Sequence, residues 1–130
     1  LDRIISKDIP SITADNYMGG ILAANHLIKN NCTHIVQFRG PLPFAPANER
    51  ANGFLQTIQR HSNIKLHTIE LDYNLDPTPI IEEFLTTNPQ IDGIFAASDV
   101  FAANCIRCLK KLGRNIPQDV KVIGYDNISI

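Results

Sequence analysis

The alternation of short apolar runs with stretches of helical periodicity constrains the fold of this chain more than any other feature. Five runs have the length and composition of strands, and a helix-like stretch follows each of the first four. The predicted strands span residues 9–14, 34–38, 64–71, 93–97 and 120–124. Strands that alternate with helices form a parallel sheet with helices on both faces. We therefore predict an α/β fold with an open, mostly parallel sheet.

Local signals set the ends of the predicted helices. The pairs Asp15-Asn16 and Ser98-Asp99 are typical N-caps, and lysines followed by Gly113 are typical of a helix C-terminus. The helices are predicted over residues 15–30, 47–59, 76–88 and 98–112. The prolines that precede the second helix predict a stiff loop without any helix: Pro41, Pro43 and Pro46.

Composition excludes several classes of protein. With 130 residues, 44% of them hydrophobic and 19% charged, the chain is long and apolar enough for one packed domain. Its net charge of −1 argues against nucleic-acid binding by these residues, because phosphate contacts need clustered cations. No apolar run approaches the roughly 18 residues of a membrane span. Three cysteines cannot all pair within the chain, which fits a reducing cytoplasm.

The usual signatures of catalysis and cofactor binding are missing from the sequence. It contains no G-x-G-x-x-G, P-loop, nucleophile elbow or H-E-x-x-H motif. His26, Cys32 and His34 are close in sequence, but no fourth ligand follows at zinc spacing, so a surface turn is the better interpretation. Cys105 and Cys108 share one face in the middle of a predicted helix, which predicts burial against the sheet. We expect no enzymatic activity, metal or cofactor.

Polar residues follow the predicted strands at their carboxyl ends, where open α/β sheets bind their ligands. The polar set is Arg39, Asp72, Ser98, Asp99 and Asp126, joined by Asp15 and Arg50 at helix starts and by the aromatic Phe44, Tyr73 and Tyr125. Carboxylates and guanidinium groups pair with vicinal hydroxyls, and an aromatic ring covers the apolar face of a sugar. No pair of nucleophile and base is recognisable. The set is suited to holding a polar small molecule.

Several members of this set also have a structural interpretation. Asp15 and Ser98 are good N-caps, Asp126 fits an ordinary turn, and Tyr73 could simply cover the sheet edge. Arg50 is the strongest candidate, because the helix macrodipole disfavours a cation in the predicted first turn. We expect Arg50 to serve a ligand or an ion pair.

Five segments of the chain, in order, resemble the lactose/galactose repressor (LacI/GalR) family. They are D-N-x-x-G-G-x-x-A-A-x-H-L-I at 15–28, R-A-N-G-F at 50–54, I-D-G-I-F-A-A-S-D at 91–99, I-P-Q-D-V at 116–120 and V-I-G-Y-D-N at 122–127. The resemblance covers almost the whole chain. It implies an effector-binding domain similar to periplasmic sugar-binding proteins, with residues 1–14 crossing from a first lobe and residues 15–130 forming the second. Both ends look cut, so the helix-turn-helix headpiece is expected outside this chain.

The resemblance also implies roles for individual residues. The candidate effector-binding set is Arg50, Asp126, Tyr73, Ser98, Asp15 and Asp2. Arg50 matches the family arginine that binds effector hydroxyls, and Asp126 matches its acidic partner. Tyr73 aligns approximately with an aromatic residue that stacks on the ligand. Ser98 stands where many members have asparagine, and Asp2 matches a position near the cleft at the crossover.

The function implied by the resemblance is transcriptional regulation. The expected partners are a sugar or sugar phosphate, operator DNA contacted through the headpiece, and a second copy in a homodimer; a purine or nucleoside effector stays open. The ligand would close the cleft between the lobes and change the spacing of two headpieces on the operator. The alternative is a periplasmic sugar-binding protein of a transport system. A flavodoxin-like or receiver-like enzyme domain is a third reading, but its acidic pocket or flavin phosphate loop is not recognisable.

Overall fold

Five parallel strands and four helices alternate along the chain, in a computed structural model that describes residues 11–12, 16–41 and 45–125. The elements are β1 (Ser11–Ile12), α1 (Asn16–Lys29), β2 (His34–Arg39), α2 (Ala45–Ile58), β3 (Lys65–Glu70), α3 (Thr78–Thr87), β4 (Gly93–Ala96), α4 (Asp99–Lys111) and β5 (Lys121–Tyr125). The strand order is β1-β5-β4-β2-β3, and every neighbouring pair is parallel. The predicted open α/β sheet is confirmed.

The two faces of the sheet are covered by different pairs of helices. Val36, Ile94 and Val122 lie in register across β2, β4 and β5 and pack with α3 and α4. The alternate residues Phe95 and Ile123 pack with α1 and α2. The central strands are therefore buried on both sides, which explains why they read as continuous apolar runs instead of alternating ones.

A topological switch point lies between β2 and β4. These strands are neighbours, but α2 and α4, the helices that follow them, pack on opposite faces of the sheet. The starts of the two helices therefore lie on opposite faces beyond the carboxyl ends of the two strands. In open α/β sheets, the crevice at a switch point of this kind is where ligands bind.

Helix α4 begins and ends as the local signals predict. The Ser98 hydroxyl accepts a hydrogen bond from the Phe101 N–H at 3.2 Å, which makes Ser98 the N-cap. Lys110 and Lys111 occupy the last turn, and Gly113 follows with a φ of 75°, in the left-handed region that glycine adopts without strain. These signals act within a few residues, so they can be read directly from the sequence.

Helix α2 begins two residues earlier than predicted. Pro46 lies within its first turn, so the expectation of a loop without helix is wrong at that residue. A proline is tolerated there because the N–H groups of the first turn have no partner inside the helix. The earlier start moves Arg50 into the second turn, where the macrodipole has weakened. The prediction that Arg50 lies in the first turn is therefore wrong.

The structure also shows where Cys105 and Cys108 lie, and whether its described residues offer metal ligands or a helix that could span a membrane. Cys105 and Cys108 are both buried, which confirms their predicted packing, and burial raises the pKa of both thiols. Within the described part of the chain, no three His, Cys, Asp or Glu side chains are grouped as metal ligands. No helix in the same ranges is long and apolar enough to cross a membrane.

Candidate functional site

Arg50 is buried at the carboxyl edge of the sheet, where its side chain is in contact with three other elements of the fold. Only 7% of the residue is exposed. Its Nη1 donates to the Ala97 carbonyl oxygen just beyond β4 at 3.2 Å, and its Nη2 donates to Asn16 Oδ1 at the start of α1 at 3.1 Å. The guanidinium carbon lies 3.5 Å from the ring centroid of Tyr125, the last residue of β5. The side chain therefore links the start of α1 to the carboxyl ends of β4 and β5, beside the switch point.

The electrostatic environment of Arg50 is unusual for an arginine. Burial lowers the pKa of its guanidinium, and the nearby hydroxyl groups of Tyr125 and Tyr73 oppose that shift. Arginine still keeps its charge at neutral pH. Its Nε is also buried and makes no hydrogen bond within the described residues. A buried charge with an unsatisfied donor is costly, and functional sites are where such costs are commonly found.

Close packing between α1 and α2 fixes the backbone beneath this side chain. A Cβ atom at Gly20 would overlap the Arg50 carbonyl oxygen and lie 2.7 Å from the Phe54 nitrogen. A Cβ atom at Gly53 would overlap the Tyr17 carbonyl oxygen. The two glycines therefore let the helix backbones touch, which explains why the R-A-N-G-F segment carries a glycine three residues after Arg50.

Tyr73 is held flat against α4. Its ring stacks on Phe101, with centroids 5.1 Å apart and planes 3° from parallel, and 40% of the residue is exposed. A Cβ atom at Gly40, just after β2, would overlap this ring. Burial raises the pKa of the Tyr73 hydroxyl, and the charge of Arg50 opposes the rise, so the two side chains are within electrostatic reach. Tyr73 can present an aromatic wall beside the guanidinium.

The remaining candidates are placed differently. Ser98 adjoins the Ala97 carbonyl that binds Arg50, but it is buried and its oxygen caps α4. Its hydroxyl proton is the group that a ligand could use, since a hydroxyl donates once and accepts twice. Three of the predicted effector-binding residues and one predicted aromatic neighbour lie outside the described residues: Asp2, Asp15, Asp126 and Phe44.

Two other polar residues of the predicted edge have local partners instead. Arg39 forms a salt bridge with Glu70 at 2.9 Å, and the Asp72 carboxylate accepts from the Asn74 N–H at 2.8 Å. Asp72 and Glu70 line an open depression of about 230 Å³ beyond β3, at the side of the sheet. Neither Arg50 nor Tyr73 lines this depression. The sheet edge therefore does not gather all of its polar residues at one site.

Two residues of the site were not among the sequence candidates for effector binding. Asn16 was expected only as part of a helix cap, and Tyr125 only as a neighbouring aromatic residue. In the structure, Asn16 Oδ1 accepts hydrogen bonds from both the Arg50 guanidinium and the Tyr125 hydroxyl. The signal was their presence inside the D-N and G-Y-D-N segments. The carbonyl of Ala97 carries no sequence signal, because any residue supplies that group.

An open parallel sheet with a buried arginine at its switch point defines the class: an α/β binding-domain fold. The sequence profile of the periplasmic binding protein-like domain matches residues 24–130, and the chain belongs to this family.

Three known proteins place the chain more closely. It is 34% identical to the ribose operon repressor of Halalkalibacterium halodurans over 100% of this chain and 39% of the repressor. It is 28% identical to the ribose import binding protein of Escherichia coli over 97% of this chain and 43% of that protein. The periplasmic binding protein/LacI transcriptional regulator of Alkaliphilus metalliredigens, complexed with D-xylulofuranose, superposes with a TM-score of 0.73 at 34% identity, over 92% of this chain and 46% of that one. The chain thus spans about two fifths of the length of these curated relatives.

Proposed function

We propose that this chain is the second lobe of the effector-binding domain of a LacI-type transcriptional regulator, and that the carboxyl edge of its sheet binds a sugar. The observation that carries the proposal is the buried Arg50 guanidinium at the switch point, whose described partners are all neutral. A charged group with several donors in a fixed plane is suited to paired hydrogen bonds with vicinal hydroxyls. We infer that the lobe binds its ligand without altering it.

The names of the relatives suggest a pentose as the effector. One relative is a repressor of a ribose operon, and one solved relative is complexed with D-xylulofuranose. Those ligands belong to those proteins, and we extend the class to this chain as a proposal, with D-ribose as the first compound to test. A sugar phosphate is the second candidate, because the described groups around Arg50 leave its charge uncompensated.

Each predicted site residue has a role in this proposal. Arg50 and Asp126 would bind hydroxyl groups, Tyr73 would cover the apolar face of the sugar ring, and Ser98 would donate its hydroxyl proton. Asp15 and Asp2 would line the cleft from the start of α1 and from the crossover. The charge of Arg50 acts on the Tyr73 hydroxyl, which supports assigning both side chains to one site.

The regulatory mechanism needs parts beyond this chain. Residues 1–14 would form the crossover from the first lobe and residues 15–130 the second lobe. A sugar that touches both lobes would stabilise the closed arrangement by its differential affinity for that state. In a cytoplasmic homodimer, closure would change the spacing of two helix-turn-helix headpieces on operator DNA. Binding of the effector and binding of DNA would then influence each other, typically with a coupling free energy of about 1–3 kcal/mol.

A periplasmic sugar-binding protein is the second candidate, because the ribose import binding protein of E. coli matches almost the whole chain. The higher identity to the ribose operon repressor and the G-Y-D-N segment favour the regulator. The residues that precede Leu1 in the encoded protein separate the two. A helix-turn-helix supports the regulator, whereas a signal peptide supports the transport protein.

The proposal is tested by measuring D-ribose binding calorimetrically to the full-length protein and to two variants. Arg50→Ala removes the buried guanidinium, and Arg60→Ala removes the same charge from an exposed position just beyond α2. We expect binding by the parent and by Arg60→Ala, and at least about a hundredfold weaker binding by Arg50→Ala, as for loss of a charged hydrogen-bonding group.

Ribose 5-phosphate and adenosine are tested in parallel to define the ligand class. Tighter binding of the phosphate would replace the neutral pentose with the sugar phosphate. Equal binding by the parent and Arg50→Ala would refute the proposed site. Binding of the DNA that precedes its own gene, altered by the bound ligand, would support the regulatory role.

A further inference from the structure

We infer that Asn16 is a positioning residue for the effector site, and that it acts by fixing the plane of the Arg50 guanidinium. Asn16 Oδ1 accepts from Arg50 Nη2 at 3.1 Å and from the Tyr125 hydroxyl at 2.9 Å. The inference rests on the proposed function, because it concerns how Arg50 is presented to a ligand. It does not require any contact between Asn16 and that ligand.

Both neighbours of Asn16 Oδ1 are donors, which settles the chemistry that this position needs. A carbonyl oxygen has two lone pairs, and here each is used by one donor. An amide nitrogen, a hydrocarbon or a cation in the same place would remove the acceptor that Arg50 Nη2 and the Tyr125 hydroxyl share. An aspartate would keep two acceptor oxygens on a side chain of the same shape, so it is the conservative replacement.

Three contacts together determine the orientation of the guanidinium. The Tyr125 ring lies against its flat face at 3.5 Å, which fixes the tilt of the plane. The Ala97 carbonyl and Asn16 Oδ1 take one donor from each terminal nitrogen, which fixes rotation within the plane. Arginine has a large side-chain entropy, so fixing it before the ligand arrives lowers the cost of binding. The Tyr125 hydroxyl donates to the same oxygen as Arg50 Nη2, so Asn16 holds the ring and the guanidinium against each other.

Helix α1 holds Arg50 at both ends. Gly20 lies so close to the Arg50 carbonyl oxygen that a Cβ atom would overlap it, and Asn16, one turn earlier on the same helix face, binds the guanidinium. The backbone of Arg50 and the end of its side chain are therefore both held in place by α1. This arrangement explains why an asparagine at the start of α1 matters to a side chain that belongs to α2.

The first test needs no ligand and reports on Arg50 directly. In the full-length protein, ¹⁵N NMR of the Arg50 terminal nitrogens measures their rotation about the Cζ–Nη bonds, with assignment from the signal that Arg50→Lys removes. We expect slow rotation in the parent and in Asn16→Asp, and faster rotation in Asn16→Leu, which has a similar size but no acceptor. Unchanged rotation in Asn16→Leu would overturn the inference. Asn16→Ala replaces Asn16→Leu if the latter does not fold.

The second test is a double-mutant cycle on D-ribose affinity. Asn16→Leu should weaken binding about tenfold when Arg50 is present, the scale of one hydrogen bond to a charged group. It should have no further effect when Arg50→Lys is already present, because Asn16 acts only through Arg50. Asn16→Asp should restore binding to within about threefold of the parent. Equal losses in both backgrounds would indicate a general structural role and overturn the inference.

The matched control is the neighbouring residue on α1. Tyr17→Phe removes an exposed hydrogen bond between Tyr17 and Gln56 of α2 at 2.6 Å, and it should change neither rotation nor affinity. If the parent does not bind D-ribose but Asn16→Leu still frees the Arg50 nitrogens, the pentose proposal fails and the positioning role stands. If D-ribose binds and neither readout responds to Asn16→Leu, the positioning role fails and the pentose proposal stands.

Discussion

The two ends of the sheet use their polar residues in opposite ways. At the carboxyl end, Arg50 joins side chains and a carbonyl from α1, β5 and the segment after β4. At the amino end, the Asp92 carboxylate accepts the backbone N–H groups of Thr33 and His34 at 2.9 to 3.1 Å. The Arg50 contacts join side chains of different elements around one cation, whereas the Asp92 contacts satisfy backbone N–H groups where β2 begins.

This difference shows that resemblance to a family does not by itself separate function from structure. The I-D-G-I-F-A-A-S-D segment contributes to both ends, with Asp92 before β4 and Ser98 after it. Asp119 of the I-P-Q-D-V segment accepts from the Asn115 N–H at 2.8 Å, also at the amino end. A shared motif is equally expected where the backbone groups of a loop need hydrogen-bond partners and where a ligand must be bound.

The largest expected effect is at the carboxyl end, in Arg50→Ala. Besides the loss of effector binding, removal of this buried side chain takes the Arg50 donor away from the Ala97 carbonyl and leaves Asn16 Oδ1 with the Tyr125 hydroxyl as its described donor. We expect unfolding stability to fall by about 1–3 kcal/mol, which urea denaturation measures. A fall in affinity without any change in stability would mean that the contacts around Arg50 are weaker than the structure indicates.

Asp92→Ala is the corresponding change at the amino end. It removes the acceptor of two backbone N–H groups, so we expect a loss of about 2 kcal/mol in unfolding stability. Effector affinity should stay within about twofold of the parent, because distant sites usually behave independently. A large loss of affinity in the folded variant would break the proposed division between the two ends.

Tyr73→Leu sharpens the comparison within the carboxyl end. It removes the stack on Phe101 but keeps an apolar side chain over Gly40. If Tyr73 covers a sugar ring, affinity for D-ribose should fall by about three- to tenfold, the scale of an aromatic contact. Tyr73→Phe, which keeps the aromatic ring, should retain most of the affinity of the parent for D-ribose. Equal affinity in Tyr73→Leu would assign the ring a purely structural role.

The smallest expected effect is a dependence of stability on alkaline pH at the amino end. Burial raises the pKa of the Cys32 thiol to about 11. The unfolded thiol ionises first, near the ordinary thiol pKa of 9.0. The contribution of the Cys32 thiol to the free energy of unfolding is therefore fully present below that pH and declines as the pH rises towards 11. Between pH 8 and 10 we expect a loss of about 1 kcal/mol in urea denaturation. Cys32→Ala should reduce that loss, and an unchanged pH dependence would contradict the assignment.

Much of the fold could be predicted from the sequence because its signals are local. The cap at Ser98, the lysines and glycine at the end of α4, and the apolar strands each depend on neighbouring residues or on burial. The sequence predicts the start of α2 two residues too late, because a proline such as Pro46 indicates a break in a helix unless it falls in the first turn. Of the predicted polar edge, the structure places Arg50, Tyr73 and Ser98 near one another, whereas Arg39 and Asp72 have local partners; effector binding by these residues stays a prediction.

The sequence alone determined that this chain alternates strands and helices, that its sheet is parallel, and that it resembles one family of regulators. Only the tertiary structure decided which residues meet Arg50. Strand order brings the ends of β4 and β5 beside the start of α1, and two glycines let α1 and α2 touch. The partners of Arg50 lie 34, 47 and 75 positions away along the chain, and one of them is a backbone carbonyl. Contacts at such separations arise from packing, which no local pattern encodes.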